Sequence, residues 1–334
     1  MASPTTVDIH AHFFPESYLK IIEDVGAPFG ARVDRSNPKG PVIVTRDART
    51  APLDASYWDL DLRRKAMNKA RIDVHALSLT APMVYFADGE VGTRLAVAVN
   101  NAMSEAHRAF PDRFVGCATL PLQDPPRAVT ELDRALGLPG IRGVYFGTNV
   151  NGRDLSDKAF DPIYARCEAA RVPVLLHPLP PQIGADRLKP FYLTNLLGNP
   201  FENAIAAAHL VFGGVLDRYP KLDVCLPHSG GAFPILFGRL THGQAVRPEN
   251  KGVARKPLRA YLRRFTYDTI THAPEPLAYL IKLVGTERVM LGSDYCFDMG
   301  YARPRDMVER QLKLTKADQT KILGATAARL LRLR

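Results

Sequence analysis

Histidine and aspartate side chains stand at the ends of several short apolar runs in this sequence. The first run leads into His10 and His12, which are two residues apart and therefore point to the same side of an extended chain. Later runs end in His177, His228 and Asp294. Three neutral imidazoles and one carboxylate are suitable ligands for Zn²⁺ or a similar divalent ion, with a coordination position left for water or substrate. The pattern predicts a metal site.

Such a site requires a fold that brings distant strand ends together. Short β-rich apolar runs alternate with longer segments in which apolar residues recur every three or four positions, which is typical of βαβ units and a parallel sheet. Eight strands are predicted, at Val7–Ile9, Val74–Leu79, Phe114–Thr119, Ile141–Phe146, Val172–Leu176, Leu222–Leu226, Phe265–Thr269 and Arg288–Leu291. Helices are predicted between them, at Leu60–Ala70, Val91–Phe110, Pro126–Leu136, Pro162–Ala170, Ala204–Arg218 and Pro276–Val284. The fold class is therefore α/β, a (β/α)₈ TIM barrel, in which all strand ends meet at one mouth.

The chain has 334 residues, a length that would also allow two domains. Because the strand and helix units continue along the whole chain, we expect a single barrel domain over residues 1–334. One segment, residues 16–58, separates the first strand from the first predicted helix and is rich in Gly and Pro. We expect it to be a loop insertion that forms a small lid over the barrel mouth.

Charge and composition exclude several classes of protein. The net charge of +10 is concentrated in residues 247–264 and 302–334, each with a net charge of +6, so the rest of the chain is near −2. No nucleic-acid motif accompanies these basic segments, and we expect no nucleic-acid partner. The sequence has no run of 18 apolar residues and no signal-peptide pattern, so we expect no membrane association and a cytoplasmic location. The four cysteines form no CxxC pair and are expected to be reduced.

An ordered set of motifs resembles the amidohydrolase superfamily. Within it, the motifs resemble the branch of 2-amino-3-carboxymuconate-6-semialdehyde decarboxylase (ACMSD) and related non-oxidative decarboxylases. The matching stretches are VDIHAHFFP near the start, HALS at 75–78, PDRFVGCATLPLQDP at 111–125, LLHP around His177, FGGVLDRYPKLDVCLPHSGGAFP from Phe212, GRLTHG from Gly238, LGSDYCF from Leu291 and KILGATAARLL at 321–331.

The resemblance implies one zinc ion held by His10, His12, His177 and Asp294, with Mn²⁺ as the alternative metal and no organic cofactor. It gives His228 and Asp294 the catalytic roles, with His228 as a general base or a hydrogen-bond partner beside the metal. Imidazole is suited to either role because it titrates near neutrality.

The resemblance also suggests substrate-binding residues. Arg247 matches an arginine that reaches across a dimer to bind the substrate carboxylate, and a planar guanidinium is suited to that contact. A homodimer is therefore expected. A second arginine comes from the first loop in similar enzymes, and here either Arg46 or Arg49 could supply it. Phe297 matches an aromatic residue that lines the pocket.

These features predict a zinc-dependent decarboxylase of a small unsaturated or aromatic carboxylate. Two routes are open: addition of zinc-activated water, aided by His228, before loss of CO₂, or direct binding of substrate oxygens to the metal, with Asp294 delivering a proton to carbon. A metal-dependent hydrolase or hydratase with the same ligands is the alternative, and a binding or scaffold barrel is a third class. The segment from His177 to Pro181 lacks the tryptophans of true ACMSD sequences, which implies a different pocket wall.

Overall fold

A computed structural model describes residues 5–250 and 253–333 of the chain. Its main sheet has eight strands, and each adjacent pair for which a register is defined is parallel. The strands are β1 (Val7–His12), β2 (Val74–Ser78), β3 (Phe114–Thr119), β4 (Ile141–Gly147), β5 (Val174–His177), β6 (Val224–Leu226), β7 (Phe265–Asp268) and β8 (Val289–Met290). They are neighbours in chain order, with helices between them, so the predicted (β/α)₈ barrel is confirmed.

The barrel is closed between β8 and β1. The N–H of Ile9 donates to the carbonyl of Leu291 at 2.9 Å, and the N–H of Asp294 donates to the carbonyl of His10 at 2.9 Å. A parallel bridge joins Ala11 to Tyr295 just beyond the end of β8. The closure therefore brings the segment that carries Asp294 against the strand that carries two histidines.

The predicted helices are present with small shifts of their ends. The longer helices that follow strands β1 to β7 are Leu60–Ala70, Gly89–Ala109, Pro125–Leu136, Asp161–Ala170, Asn199–Phe212, Phe233–Val246 and Pro274–Val284. Shorter helices are Glu16–Val25, Ala185–Leu188, Val215–Arg218, Leu258–Leu262, Pro304–Asp306, Lys316–Thr320 and Thr326–Leu331. The single helix predicted over 204–218 is in fact two helices, because Gly214 adopts a φ of 71° that ends the first and starts the second.

Residues 16–58 contain secondary structure of their own. The helix Glu16–Val25 buries Tyr18, Leu19 and Ile22, and the strands Arg32–Asp34 and Val42–Val44 pair as an antiparallel hairpin. The hydroxyl of Tyr18 donates to the backbone carbonyl of Met83, which joins this helix to the connection after β2. A lid function for it stays a prediction.

The connection between β5 and the helix Asn199–Phe212 exposes unusually many apolar side chains. It includes Ile183 at 60% and Phe191 at 86% exposure. Buried Glu202 fixes its start, because a carboxylate oxygen of Glu202 accepts the N–H of Ile183 at 2.9 Å.

Among the described residues, no helix is both long and apolar enough to cross a lipid bilayer.

Candidate metal centre and adjoining cavity

Four of the predicted site residues meet at the mouth of the barrel. One ligand atom from each of His10, His12, His177 and Asp294 lies within 4.8 Å of the others, and all four side chains are buried. The Nε2 atoms of His10 and His12 are 3.0 Å apart, and the Oδ1 atom of Asp294 is 2.9 Å from Nε2 of His12 and 3.4 Å from Nε2 of His10. Ligands that share one divalent ion at about 2.0–2.2 Å have separations of this size.

The outer nitrogens of the two β1 histidines have hydrogen-bond partners. Nδ1 of His10 lies 2.8 Å from Oδ2 of Asp268, and Nδ1 of His12 lies 3.2 Å from the hydroxyl of Ser78. A carboxylate accepts only, so the neutral His10 ring carries its proton on Nδ1. Its Nε2 lone pair then faces the centre of the site, as metal binding requires.

His177 is oriented in the same way from across the barrel. Its Nδ1 lies 3.0 Å from the carbonyl of Pro178 and 2.6 Å from the hydroxyl of Thr80. Because the carbonyl can only accept, the His177 ring donates from Nδ1, and its Nε2 atom, 3.1 Å from the same Thr80 hydroxyl, carries a lone pair.

The donor set fits a divalent metal ion. With its proton on Nδ1, His10 directs its Nε2 lone pair at Nε2 of His12, 3.0 Å away, and a cation between these atoms can accept a lone pair from each ring. Imidazole nitrogens with one carboxylate oxygen are suitable for zinc and for other first-row divalent ions.

The surroundings shift the pKa values of the four clustered side chains. Burial lowers the pKa of His12 to about 4 and that of His177 well below its usual range. Burial also acts to lower the pKa of His10, but the hydrogen bond to Asp268 and nearby carboxylates outweigh it and raise that pKa. For Asp294, burial acts to raise the pKa, but hydrogen bonds with histidines hold it well below its usual range. The carboxylate is therefore ionised and His12 and His177 are neutral.

Asp268, at the end of β7, organises the site without being among the four clustered ligands. Its Oδ2 accepts from the His10 ring at 2.8 Å and from the backbone N–H of His228 at 2.9 Å. Its Oδ1 accepts the backbone N–H groups of Ser229 at 2.8 Å and Ile270 at 3.0 Å. This one carboxylate therefore orients the His10 ring and also fixes the turn that carries His228.

Two buried charged residues near the site have no counterpart in the sequence-based prediction. Asp8 accepts N–H groups of His10 at 3.0 Å and Ser293 at 3.1 Å, and burial raises its pKa to about 6. Arg63, also fully buried, donates to the backbone carbonyl of His12 and stacks over the ring of Tyr295 with its Cζ atom 4.8 Å from the centroid. Arginine on an amphipathic helix normally indicates a solvent-facing position, so no sequence signal marked Arg63.

His228 and Asp294 stand on strained backbone. Both are non-glycine residues in the left-handed region, with φ of 50° and 60°. Their side chains face each other, with Nε2 of His228 at 3.9 Å from Oδ2 of Asp294. Strain of this kind is commonly kept at functional sites.

Both residues form part of the wall of a cavity of about 300 Å³. Most of the wall is apolar, with polar groups from Asn195, Asn199, Thr271 and His272. Within the described parts of the chain, no Lys or Arg lines this cavity. His272 stacks on Tyr301 at the cavity wall, with ring centroids 5.0 Å apart.

The Nδ1 atom of His228, on the side of the ring away from Asp294, also has a hydrogen-bond partner. Asn203, fully buried on the helix Asn199–Phe212, places its Nδ2 3.2 Å from Nδ1 of His228 and 3.1 Å from the carbonyl oxygen of Pro227. Because an amide nitrogen is a donor, this contact affects which nitrogen of the His228 ring carries the proton.

The predicted substrate-binding residues lie in different places. Phe297 packs beside the site, with its ring centroid 5.2 Å from that of His12 and 5.5 Å from that of Tyr57. Arg247 follows the helix Phe233–Val246, is exposed, and pairs with Glu249 at 2.5 Å, away from the cavity of its own chain.

The two candidate arginines of the first segment are exposed. Arg49 lies 3.6 Å from the carboxylate of Asp34, and the stem of Arg46 packs over Gly30. Neither is among the cavity residues, so the choice between them stays open.

Comparison with known proteins adds a family context to this geometry. A family model described as amidohydrolase matches residues 7–333. The 2-amino-3-carboxymuconate-6-semialdehyde decarboxylase of Dictyostelium discoideum is 31% identical over 331 residues, which cover 98% of this chain and 91% of that protein. The apo structure of Metarhizium anisopliae IDCase is similar with a TM-score of 0.88 at 27% identity, over 99% of this chain and 98% of that one. A dihydroxybenzoic acid decarboxylase from Polaromonas sp. JS666, solved with bound manganese and the inhibitor 2-nitroresorcinol, has a TM-score of 0.80 at 25% identity, over 99% and 98% of the two chains.

Proposed function

The chain belongs to the amidohydrolase superfamily, and from this premise we propose that it is a metal-dependent, non-oxidative carboxy-lyase. Its substrate is a small unsaturated or aromatic carboxylate. The observation that carries the proposal is the buried cluster of three histidines and Asp294 beside a largely apolar cavity of about 300 Å³. The names of the relatives, which include decarboxylases of a muconate semialdehyde and of a dihydroxybenzoic acid, support it.

We infer that His10, His12, His177 and Asp294 hold the metal, and that the metal is zinc. Imidazole-rich sites suit zinc, although manganese in the Polaromonas enzyme makes that ion the alternative. A bound divalent ion supplies Lewis acidity, which orients substrate oxygens and stabilises the negative charge that develops as CO₂ leaves.

The protein residues supply orientation and the proton. In the reaction, the bond between the carboxyl carbon and the ring or alkene carbon breaks, CO₂ leaves, and a proton takes its place. Oδ2 of Asp294 faces the cavity side of the site near His228, so this carboxylate can move a proton to the carbon. Because Asp294 is ionised at rest, it first takes up that proton, and an acidic hydroxyl of the bound substrate is a chemically suitable source.

The cavity favours a flat, mostly apolar substrate. Ile235, Ile270, Leu280 and Met299 provide apolar wall, and Phe297 packs against His12 nearby. A ring or conjugated chain can lie against these side chains while its carboxylate and a neighbouring oxygen point to the metal centre.

Release of CO₂ from a panel of such acids tests the function. The zinc-loaded protein is expected to produce CO₂ and the protonated product, and Asp294→Asn is expected to reduce kcat by at least about 10³-fold because it removes both a ligand and the proton carrier. The exposed Asp298→Asn makes the same chemical change nearby and serves as the control. Hydrolysis or hydration of substrates without CO₂ would favour the hydrolase or hydratase alternative.

We further propose that the protein is a homodimer. Ile183, Leu197, Phe201 and Leu236 line one apolar surface groove, and each of them is 39–60% exposed. Large apolar surfaces of this kind are typical of interfaces. Arg247 directly follows the helix that carries Ile235 and Leu236, so a second copy seated on this surface could bring its own Arg247 near the cavity.

Sedimentation of two matched variants tests the dimer. Leu236→Glu is expected to shift the protein towards monomer and to raise KM. Leu62→Glu, at a similarly exposed leucine on a different helix, is expected to leave the mass unchanged. A monomer that stays fully active at high dilution would refute a contribution of Arg247 across subunits.

A further inference from the structure

We propose that Asn203 is a positioning residue that keeps the His228 ring in the tautomer with its proton on Nε2. His228 then acts on the substrate as a hydrogen-bond donor and not as a base. The inference rests on the proposed function for what His228 contacts in the substrate, whereas the tautomer follows from the contacts of Asn203 alone.

The orientation of the Asn203 amide is fixed by a backbone carbonyl. The amide atom that lies 3.1 Å from the carbonyl oxygen of Pro227 must be a donor, because that oxygen can only accept. A flipped amide would bring two oxygens to this distance. Within the described residues, Oδ1 of Asn203 has no hydrogen-bond partner, so no contact there favours the flip.

The same NH₂ group faces the His228 ring. It has two hydrogens, and with one directed at Pro227 the other is directed at Nδ1 of His228, 3.2 Å away. Nδ1 must therefore present its lone pair. In a neutral imidazole the proton then resides on Nε2.

Asp268 fixes the backbone that carries the His228 ring. The backbone N–H of His228 donates to Asp268 at 2.9 Å, and the next N–H, from Ser229, donates to the same carboxylate at 2.8 Å. The Nε2–H group is thus directed at the cavity and at Oδ2 of Asp294, 3.9 Å away.

This placement separates the two roles that the family resemblance leaves open for His228. An Nε2–H group has no lone pair with which to take a proton from water, but it can donate to an oxygen of the substrate. Direct binding of substrate oxygens, with Asp294 as the proton carrier, is the route compatible with such a donor. On the proposed function, the acceptor for this donor is a carboxylate or hydroxyl oxygen of the substrate that lies between His228 and Asp294.

Nitrogen NMR of the imidazole rings tests the tautomer directly. The zinc-loaded full chain, labelled with ¹⁵N in the histidine rings, is measured with and without His228→Gln to identify the His228 signals. We expect a protonated Nε2 and an unprotonated Nδ1. Asn203→Asp replaces the donor with an acceptor and should reverse this pattern. Asn101→Asp makes the same change on the helix Gly89–Ala109, away from the cavity, and should leave the tautomer unaltered.

A double-mutant cycle tests whether Asn203 acts through His228. Asn203→Ala is expected to lower kcat/KM by about tenfold in the otherwise unaltered enzyme, and by less than about twofold when His228 is already alanine. Equal losses in both backgrounds would mean that Asn203 only supports the fold, and would overturn the proposal. So would a proton on Nδ1 of His228 in the unaltered protein.

The two readouts separate this inference from the proposed function. A protein that releases no CO₂ but holds Nε2–H in His228 refutes the decarboxylase and leaves the tautomer intact. An active decarboxylase whose His228 carries its proton on Nδ1 refutes the role of Asn203 alone.

Discussion

Replacement of Asp268 by asparagine is the sharpest single test of how the metal centre is supported. Each carboxylate oxygen of Asp268 accepts two hydrogen bonds, from His10 and His228 on one side and from Ser229 and Ile270 on the other. An asparagine has only one oxygen, so in either orientation its NH₂ group faces two donors. At about 1–3 kcal/mol for each buried donor left unpaired, Asp268→Asn should destabilise the protein by about 2–6 kcal/mol.

The orientation of the new amide also decides its effect on the metal. If the NH₂ group faces His10, the ring can restore a hydrogen bond only by moving its proton to Nε2, where it blocks the metal. Loss of such a supporting hydrogen bond typically weakens metal binding by about 10- to 100-fold. Zinc affinity from chelator competition, and the free energy of unfolding in urea, measure the two effects.

The control is Asp298→Asn, which makes the same change at an exposed position. It should alter the free energy of unfolding by less than about 0.5 kcal/mol. If Asp268→Asn binds zinc as tightly as the unaltered protein and unfolds at the same urea concentration, the supporting role of Asp268 is wrong.

Three further predictions concern the metal and the buried charges. Arg63→Lys should cost about 1–3 kcal/mol in urea unfolding, because lysine cannot donate to the His12 carbonyl in the same planar geometry, and unchanged stability would contradict this. Zinc affinity should fall by about tenfold per pH unit below the raised pKa of His10, since zinc must displace one proton there, and more steeply below about pH 4, where His12 also protonates. Chelator competition at several pH values would reveal a flat profile if His10 were not a ligand. The free energy of unfolding should be about 4 kcal/mol lower without metal than at a free zinc concentration of one thousand times Kd. Thermal unfolding with and without zinc measures this difference.

The barrel and the clustering of three histidines with Asp294 could be predicted because both depend on local patterns. Buried parallel strands are short apolar runs, and a ligand placed where such a run stops must lie at the mouth. The placement of His10 and His12 on one side of the strand could be predicted from the alternation of side chains alone. The strand ends of His177 and Asp294 needed only the closed topology.

Other features depend on tertiary contacts that leave no such pattern. The helix Phe233–Val246 was missed because its sequence contains Pro234 and two glycines, which have low helix propensity, and because its apolar side chains Ile235 and Leu236 are exposed. Arg63 is buried against backbone carbonyls. His272 lines the cavity from a backbone conformation in the left-handed region, with a φ of 59°.

The closure of the barrel has a consequence for how the protein is made. His12 and Asp294 are separated by 282 positions in the chain, yet their side chains are 2.9 Å apart. During synthesis the four-residue cluster cannot assemble until the segment that carries Asp294 has left the ribosome, and closing so long a loop is entropically costly. A metal ion bound by both ends offsets part of that cost. Zinc supplied during refolding should therefore raise the yield of closed barrels more than zinc supplied afterwards.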